Sequence, residues 1–244
     1  MTLSTNTNTI MSTTKMNHDR LKTFVSDQIP VIVLVLLCLV ATLSSDRFLS
    51  YSNLTNVLLQ AAVIAVVTIG MTYVVIGGGF DLSVGSVAAL SGCIAAEVLL
   101  KHGVLAGVVA GALSGVAVGI VNGLVIAKLR VSPFIATLGT MILVRGIVLL
   151  LTQGAPVVGD DGLGETFATL GSGRVLGLPI LVWIAGVLAI VFSWVLHRTA
   201  YGTRVFAVGG NREAAFLSGL PVQRITVSLY AICGLTAGLA GVLL

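Results

Sequence analysis

The chain has 244 residues, of which 57% are hydrophobic and 9% are charged, and its formal net charge is +4. Its mean hydropathy of +1.10 lies far above that of water-soluble domains, so the composition excludes a soluble globular protein and indicates an integral membrane protein. A nucleic-acid-binding protein is also excluded, because no clustered basic face is present. We therefore expect the excess positive charge to reflect membrane topology.

The sequence shows no catalytic or metal-binding pattern. The three cysteines lie in separate apolar segments, and the three histidines are widely separated and lack the spacing of metal ligands. We therefore expect no metal site and no disulfide. The motifs of a phosphate-binding loop, a zinc protease and a nucleophile elbow are absent from the sequence. The protein is not expected to be an enzyme, and any ATP that it uses must be hydrolysed by another subunit.

Residues 1–27 are polar and rich in Ser, Thr and Asn, which predicts a flexible tail. No convincing cleavage site follows this segment, so the next apolar segment is expected to remain as a first membrane span. Seven apolar segments have about the length needed to cross a bilayer as helices. They are predicted at 28–45, 57–76, 82–100, 103–127, 133–152, 179–196 and 225–244. The prediction is thus an all-α, polytopic helix bundle, with the transmembrane domain at 28–244.

The glycines of the fourth span predict how this helix packs. The fourth span has glycine at every fourth position from Gly103 to Gly119, which places a groove of small residues on one helix face. Such a groove lets a neighbouring helix approach closely.

The last span is still apolar when the chain stops at Leu244, and we expect from this a protein that is incomplete at its carboxyl end.

The charged connections predict the orientation of the spans. Lys128 and Arg130 follow the fourth span, the connection at 153–178 is acidic, and the connection at 197–224 has four arginines against one glutamate. Basic residues concentrate in cytoplasmic loops. All three connections therefore agree with a cytoplasmic amino terminus.

Three consecutive glycines and an aspartate separate the second span from the third. The glycines, Gly77 to Gly79, release the backbone from a single helical path, and a carboxylate such as Asp81 is costly near a bilayer unless it caps, pairs or functions. The sequence predicts a broken helix around 77–81, at the cytoplasmic end of the second span or within the membrane. Asp81, with Ser83, either caps the third span by accepting from a first-turn amide or lines a polar cavity of a pathway.

Other polar residues inside the spans are candidates for the same pathway. Arg145 lies about 18 Å into the fifth span, where its cation should face a cavity or an acid, or extend to the outer interface. Gln60 and Asn122 are expected to hydrogen-bond between helices, with substrate contact as the alternative. Glu97 and Lys101 are four residues apart and predict a surface ion pair.

The basic connection at 197–224 contains a short predicted helix at 212–217 with glycines on both sides. One interpretation is a solvated loop that sets topology. The other is a docking site, because Phe206, Phe216 and Leu217 would be exposed beside this helix in a shape suited to a partner's groove.

Two motifs resemble those of ribose-type ABC sugar permeases. Residues 78–86, Gly-Gly-Phe-Asp-Leu-Ser-Val-Gly-Ser, resemble the family signature Gly-Ile-Asp-Leu-Ser-Val-Gly-Ser, with Phe80 in place of the usual isoleucine. Residues 207–219 resemble the family's cytoplasmic coupling loop. Shorter matches at 131–138, 143–146 and 230–241 extend the resemblance over about 54–244.

The resemblance implies the permease subunit of an ATP-driven importer that moves ribose or a related monosaccharide by alternating access. It implies a homodimer in the lipid of the bacterial inner membrane, a periplasmic sugar-binding protein, and an ATP-binding subunit that holds ATP and Mg²⁺. The pathway or helix-break candidates are Gln60, Gly78, Gly79, Asp81, Ser83, Asn122 and Arg145. The candidate residues of the coupling loop are Gly202, Arg204, Gly209, Gly210, Asn211, Ala214, Ala215, Ser218 and Gly219. The alternatives are a secondary transporter or channel in which Asp81 or Arg145 carries an ion, and a membrane scaffold without transport.

Overall fold

The computed structural model describes residues 28–155 and 173–244, so the predicted tail at 1–27 and most of the acidic connection lie outside the described residues. The elements are α1 (Gln28–Ser44), α2 (Tyr51–Ile76), α3 (Val84–His102), α4 (Val104–Lys128), α5 (Pro133–Thr152), β1 (Arg174–Val175), β2 (Leu178–Pro179), α6 (Ile180–Arg198), α7 (Ala200–Gly210), α8 (Arg212–Leu217) and α9 (Val222–Leu243). The two strands form a small antiparallel hairpin. The chain divides into two units, with the boundary between Leu54 and Thr55.

The helices confirm the predicted all-α membrane bundle. Among the described residues, six helices are long and apolar enough to cross a membrane, namely α2 to α6 and α9, and α1 is a shorter apolar helix. The second span begins earlier than predicted, at Tyr51, where the hydroxyl of Ser50 accepts a hydrogen bond from the amide of Asn53 and caps the helix. The fourth span begins at Val104, because Gly103 adopts a left-handed φ of 86° and ends α3.

Helix α9 is the centre of the second unit. Two thirds of its apolar stretch (67%) is buried, against 17–39% for the other spans. α4 packs along it with the predicted glycine face: a Cβ on Gly115 would overlap the carbonyl oxygen of Gly234, and one on Gly119 would overlap that of Tyr230. Backbones therefore touch along this seam, which confirms the predicted groove. Gly103, the first glycine of the series, lies in the turn before α4 instead.

The order of contacts along α9 gives the direction of α2. Gly70 of α2 lies against Cys233, and Gly77, just past the end of α2, lies against Leu229. The two helices are therefore antiparallel, and the chain leaves α2 near the first turns of α9.

Candidate functional site

Residues 77–83 form the break between α2 and α3 that the glycines predict. Gly78 has a left-handed φ of 78°, which only glycine adopts without strain. The amides of Gly78 and Gly79 donate to the carbonyl oxygens of Val75 and Val74, at 3.0 and 2.8 Å. These bonds satisfy carbonyls at the end of α2, so the glycines act as its carboxyl cap.

The break lies beside α9. Gly79 approaches the hydroxyl of Tyr230, and that hydroxyl donates to the carbonyl oxygen of Phe80 at 3.1 Å. Because α9 begins at Val222, Tyr230 lies about 12 Å along its axis. The break is therefore about two helical turns from the end of the bundle that carries Arg224.

A chain of hydrogen bonds joins the break to α4 and α5. The Oδ1 atom of Asp81 accepts from the amide of Ser83 at 2.8 Å and from its hydroxyl at 2.6 Å. The Ser83 hydroxyl oxygen accepts from the side-chain amide of Asn122 at 3.0 Å, and the Asn122 carbonyl oxygen accepts from the hydroxyl of Thr140 at 2.6 Å. Asp81, Ser83 and Asn122 are each at most 2% exposed. We refer to these four side chains as the polar chain.

The environment of Asp81 is unusual for a carboxylate. Within residues 28–155 and 173–244 no cationic group lies in salt-bridge range of Asp81. Burial disfavours the charged form of a carboxyl group, and the two hydrogen bonds donated by Ser83 offset part of this cost. The group is thus held by neutral donors.

The structure differs from the prediction that Asp81, with Ser83, caps the first turn of α3. The residue that flanks the first turn of α3 is Ser83, and its side chain makes no capping bond to the helix. Asp81 accepts from the amide of Ser83 itself, which lies before the helix, and so closes the turn that leads into α3. Asp81 therefore shapes the break rather than capping a first-turn amide.

The other polar candidates of the spans do not join the polar chain. Arg145 and Gln60 are exposed on α5 and α2, and neither side chain has a hydrogen bond or ion pair within the described part of the protein. Glu97 and Lys101 form the predicted exposed ion pair, at 2.9 Å. Of Gln60, Asn122 and Arg145, only Asn122 makes the expected hydrogen bond to another helix within the described residues.

Thr140 is the one member of the polar chain that the sequence does not predict. A threonine in an apolar helix commonly donates to a carbonyl of its own preceding turn, as Thr137 does to Pro133 at 2.8 Å. Nothing in the sequence distinguishes Thr140 from Thr137, because the bond to Asn122 depends on how α4 and α5 pack.

The basic connection folds as two short helices. The predicted helix is confirmed as α8, capped by Asn211, whose Oδ1 accepts from the amide of Ala214 at 2.9 Å. α7 precedes it and is capped by Thr199. Phe206, Phe216 and Leu217 are exposed, at 44%, 69% and 78% of their surface. The apolar surface expected of a docking site is therefore present.

The candidate coupling residues divide between two faces. Six of them are exposed: Arg204, Gly210, Asn211, Ala214, Ser218 and Gly219. Gly202 and Ala215 are buried, and a Cβ on Gly202 would overlap the carbonyl oxygen of Leu196. Gly202 and Ala215 thus pack against the rest of the bundle, so they are not available to a partner.

The comparisons with known proteins agree with the resemblance seen in the motifs. Residues 53–244 match the family described as branched-chain amino acid transport system / permease component. The chain is 40% identical over 215 residues to the ribose import permease RbsC of Escherichia coli K12, covering 87% of this chain and 67% of that protein. It is 43% identical over 218 residues to the RbsC protein of Bacillus subtilis, covering 88% and 67%.

A permease named for another pentose is similar as well. The chain is 41% identical over 216 residues to the L-arabinose ABC transporter permease AraH of Azospirillum brasilense, covering 87% of this chain and 63% of that protein. The chain thus spans about two thirds of the length of these relatives. No solved structure matches it. The family match over residues 53–244, together with these identities, shows that the chain belongs to the permease component family of such transport systems and resembles its ribose-type members.

Proposed function

We propose that the chain is the membrane-spanning permease subunit of an ATP-driven importer for a monosaccharide of the pentose class. The observation that carries the proposal is the identity of 40–43% with permeases named for ribose and L-arabinose, over nearly nine tenths of the chain. The family description names branched-chain amino acids instead. The choice of a sugar therefore rests on the individual relatives.

The ATP-binding subunit, with its ATP and Mg²⁺, is proposed to dock on α7 and α8. Phe206, Phe216 and Leu217 offer exposed apolar side chains there, and Arg204 and Arg212 add positive charge beside them. Aromatic residues, including phenylalanine, and arginine are enriched in protein interfaces relative to the rest of the surface. A periplasmic sugar-binding protein would then engage the opposite end of the bundle, where α3 ends at His102.

A second copy of the permease is proposed to complete the pathway. Arg145 is exposed on α5, a helix apolar enough to cross the membrane, and a guanidinium facing lipid is costly. Gln60 is likewise exposed on α2. We assign these two side chains to a surface that a second copy or a water-filled pathway covers, with membrane lipid around the remaining faces.

Asp81 is proposed to act through structure and not as an ion carrier. Its side chain is 2% exposed and its Oδ1 is engaged by two donors of Ser83, so it has no open path to solvent in this conformation. Secondary transport through Asp81 is not favoured for this reason. The break itself, with three glycines, is the flexible point at which α2 and α3 could change their relative position during alternating access.

The location follows from the same proposal. An importer with a periplasmic partner lies in the bacterial inner membrane, with a cytoplasmic amino terminus and with α7 and α8 on the cytoplasmic side. Arg130 lines the same cleft as Arg212 of α8 and therefore lies at the same end of the bundle, as the positive-inside rule requires.

Uptake by the complete transporter tests the proposed substrate. The permease, its ATP-binding subunit and its binding protein are reconstituted in proteoliposomes, and accumulation of radiolabelled ribose, L-arabinose and leucine is compared with and without ATP. We expect ATP-dependent accumulation of at least one pentose and none of leucine. Accumulation of leucine alone, or of no pentose, would overturn the sugar assignment.

A further inference from the structure

Helix α7 has one face toward the bundle and one face toward solvent. Val205 and Val208 are buried in the same apolar cluster as Tyr73 and Val74 of α2. Arg204 and Phe206, on the other side of α7, are exposed. A partner that pushes on the exposed face therefore pushes α7 against the end of α2.

The beginning of α7 is fixed to two other helices. The ring of Tyr201 stacks on that of Tyr73 in α2, with centroids 6.5 Å apart and an interplanar angle of 25°. The Tyr201 hydroxyl shares a hydrogen bond of 2.7 Å with the hydroxyl of Ser228 in α9. These contacts fix this end of α7 to α2 and α9.

The other end of α7 touches the last residue of α2 directly. A Cβ on Gly209 would overlap the carbonyl oxygen of Ile76, so only glycine allows this approach. A Cβ on the next residue, Gly210, would project into space that is open among the described residues. The contact is therefore specific to Gly209 and not a general property of two adjacent glycines.

The contact lies at the start of the break. Ile76 is followed by Gly77, and the segment continues through Gly78 and Gly79 to Asp81, where the polar chain begins. The hydrogen bonds of the polar chain hold the α3 side of the break to Asn122 of α4. A displacement of Ile76 would thus be taken up within the glycine segment, because the polar chain holds the α3 side of the break.

We propose that Gly209 is the positioning residue through which α7 acts on the break, by the contact of its Cα with the carbonyl group of Ile76. The inference rests on the proposed function, because it requires an ATP-binding subunit that moves α7. ATP-driven motion at the cytoplasmic surface reaches the glycine segment directly through this contact. Gly209 acts through α2 and does not touch the transported sugar.

The test compares Gly209→Ala with Gly186→Ala, a glycine substitution on α6, in the complete transporter. ATP hydrolysis and sugar uptake are measured on the same proteoliposomes, and the result is expressed as sugar moved per ATP hydrolysed. We expect Gly209→Ala to lower this ratio by about tenfold while hydrolysis continues. Gly186→Ala should change the ratio by less than about twofold, since its new methyl group meets no neighbour in the described structure. An unchanged ratio in Gly209→Ala would overturn the inference.

Failure of the inference and failure of the proposed function give different results. If the wild-type complex moves no sugar with ATP, the proposed function fails whatever the variants do. If the wild type transports and Gly209→Ala transports equally well per ATP, only the inference fails.

A second measurement needs no variant at Gly209, in case Gly209→Ala does not fold. Amide hydrogen exchange of residues 77–83 is followed in the wild-type complex before and after a non-hydrolysable ATP analogue binds. We expect the exchange rate of this segment to change by about threefold or more, because local opening at the break responds to α7. An exchange rate that the analogue leaves unchanged would contradict the inference.

Discussion

At the scale of single residues, the polar chain explains why an aspartate is tolerated next to an apolar helix bundle. Each polar atom of Asp81, Ser83 and Asn122 that is fully buried has a hydrogen-bond partner. An unsatisfied buried polar group costs about 1–3 kcal/mol, so the chain removes a penalty that isolated polar side chains would carry. Its role is therefore to hold the α3 side of the break to α4 and α5.

Replacement of Asp81 separates a structural role from a functional charge. Asp81→Asn keeps a carbonyl oxygen that can accept from Ser83, so we expect its stability and transport to stay near those of the wild type. Asp81→Ala removes the acceptor and should lower the free energy of unfolding by about 1–3 kcal/mol. Unfolding in increasing sodium dodecyl sulfate measures the stabilities. An Asp81→Asn protein that is stable but inactive would show that the charge itself works in transport.

Thr140 and Thr137 form a matched pair on α5. Thr140→Val keeps the shape of the side chain but leaves the Asn122 carbonyl oxygen without its donor, and should cost about 1–3 kcal/mol of unfolding free energy. Thr137→Val removes a bond to a carbonyl of its own helix, and we expect a smaller loss. The same detergent titration compares them, and equal losses would show that the bond to Asn122 is unimportant.

The sequence was sufficient to single out Asp81, Ser83 and Asn122 but not their connection. A buried carboxylate beside glycines is recognisable from local pattern, since its cost depends on its own chemistry. The bond from Asn122 to Ser83 joins residues 39 positions apart, and it depends on how α4 packs against the break. No local pattern contains that information.

At the scale of helices, the seam between α4 and α9 holds the bundle together by close backbone approach. Glycine at every fourth position predicted one side of the seam, because this spacing keeps small residues on one helix face. The partner was not predicted, since the glycines of α9, Gly234, Gly238 and Gly241, occur at mixed spacing. The central position of α9 follows from its burial, which composition does not reveal.

Substitution in the seam tests this packing. Gly115→Ala places a methyl group where the carbonyl oxygen of Gly234 lies, and should destabilise the protein by about 1–3 kcal/mol through overpacking. Gly139→Ala on α5 adds a methyl group that meets nothing in the described structure, and should be neutral or stabilise the helix by up to about 1 kcal/mol. The thermal midpoint of the purified permease measures both. A tolerated Gly115→Ala would contradict the close approach of α4 and α9.

At the scale of the whole molecule, hydropathy alone predicts the membrane bundle. An apolar stretch must form a helix in lipid, because its backbone groups have no other hydrogen-bond partners there, so span positions can be predicted without knowledge of packing. The observed helix ends differ from the predicted ones where a local feature sets them: Ser50 caps the start of α2, and the positive φ of Gly103 ends α3. The arrangement of the spans around α9 and the contact of α7 with α2 depend on tertiary packing and could not be predicted.

Orientation in the membrane gives a prediction at this scale. In a variant without the three native cysteines, Lys128→Cys and His102→Cys are labelled with a membrane-impermeant maleimide on intact spheroplasts. The positive-inside rule places Lys128 in the cytoplasm, so we expect labelling of His102→Cys and none of Lys128→Cys until the cells are lysed. Labelling of Lys128→Cys from outside would invert the proposed topology.

The central claim is that ATP, and not an ion carried by Asp81, drives transport through this permease. The most direct measurement is the initial rate of pentose uptake into proteoliposomes that hold the complete transporter, with wild-type or Asp81→Asn permease. One set has ATP and no ion gradient, and the other has a proton or sodium gradient and no ATP. We predict uptake by both proteins with ATP and by neither with a gradient alone. Gradient-driven uptake by the wild type that Asp81→Asn abolishes would contradict the claim.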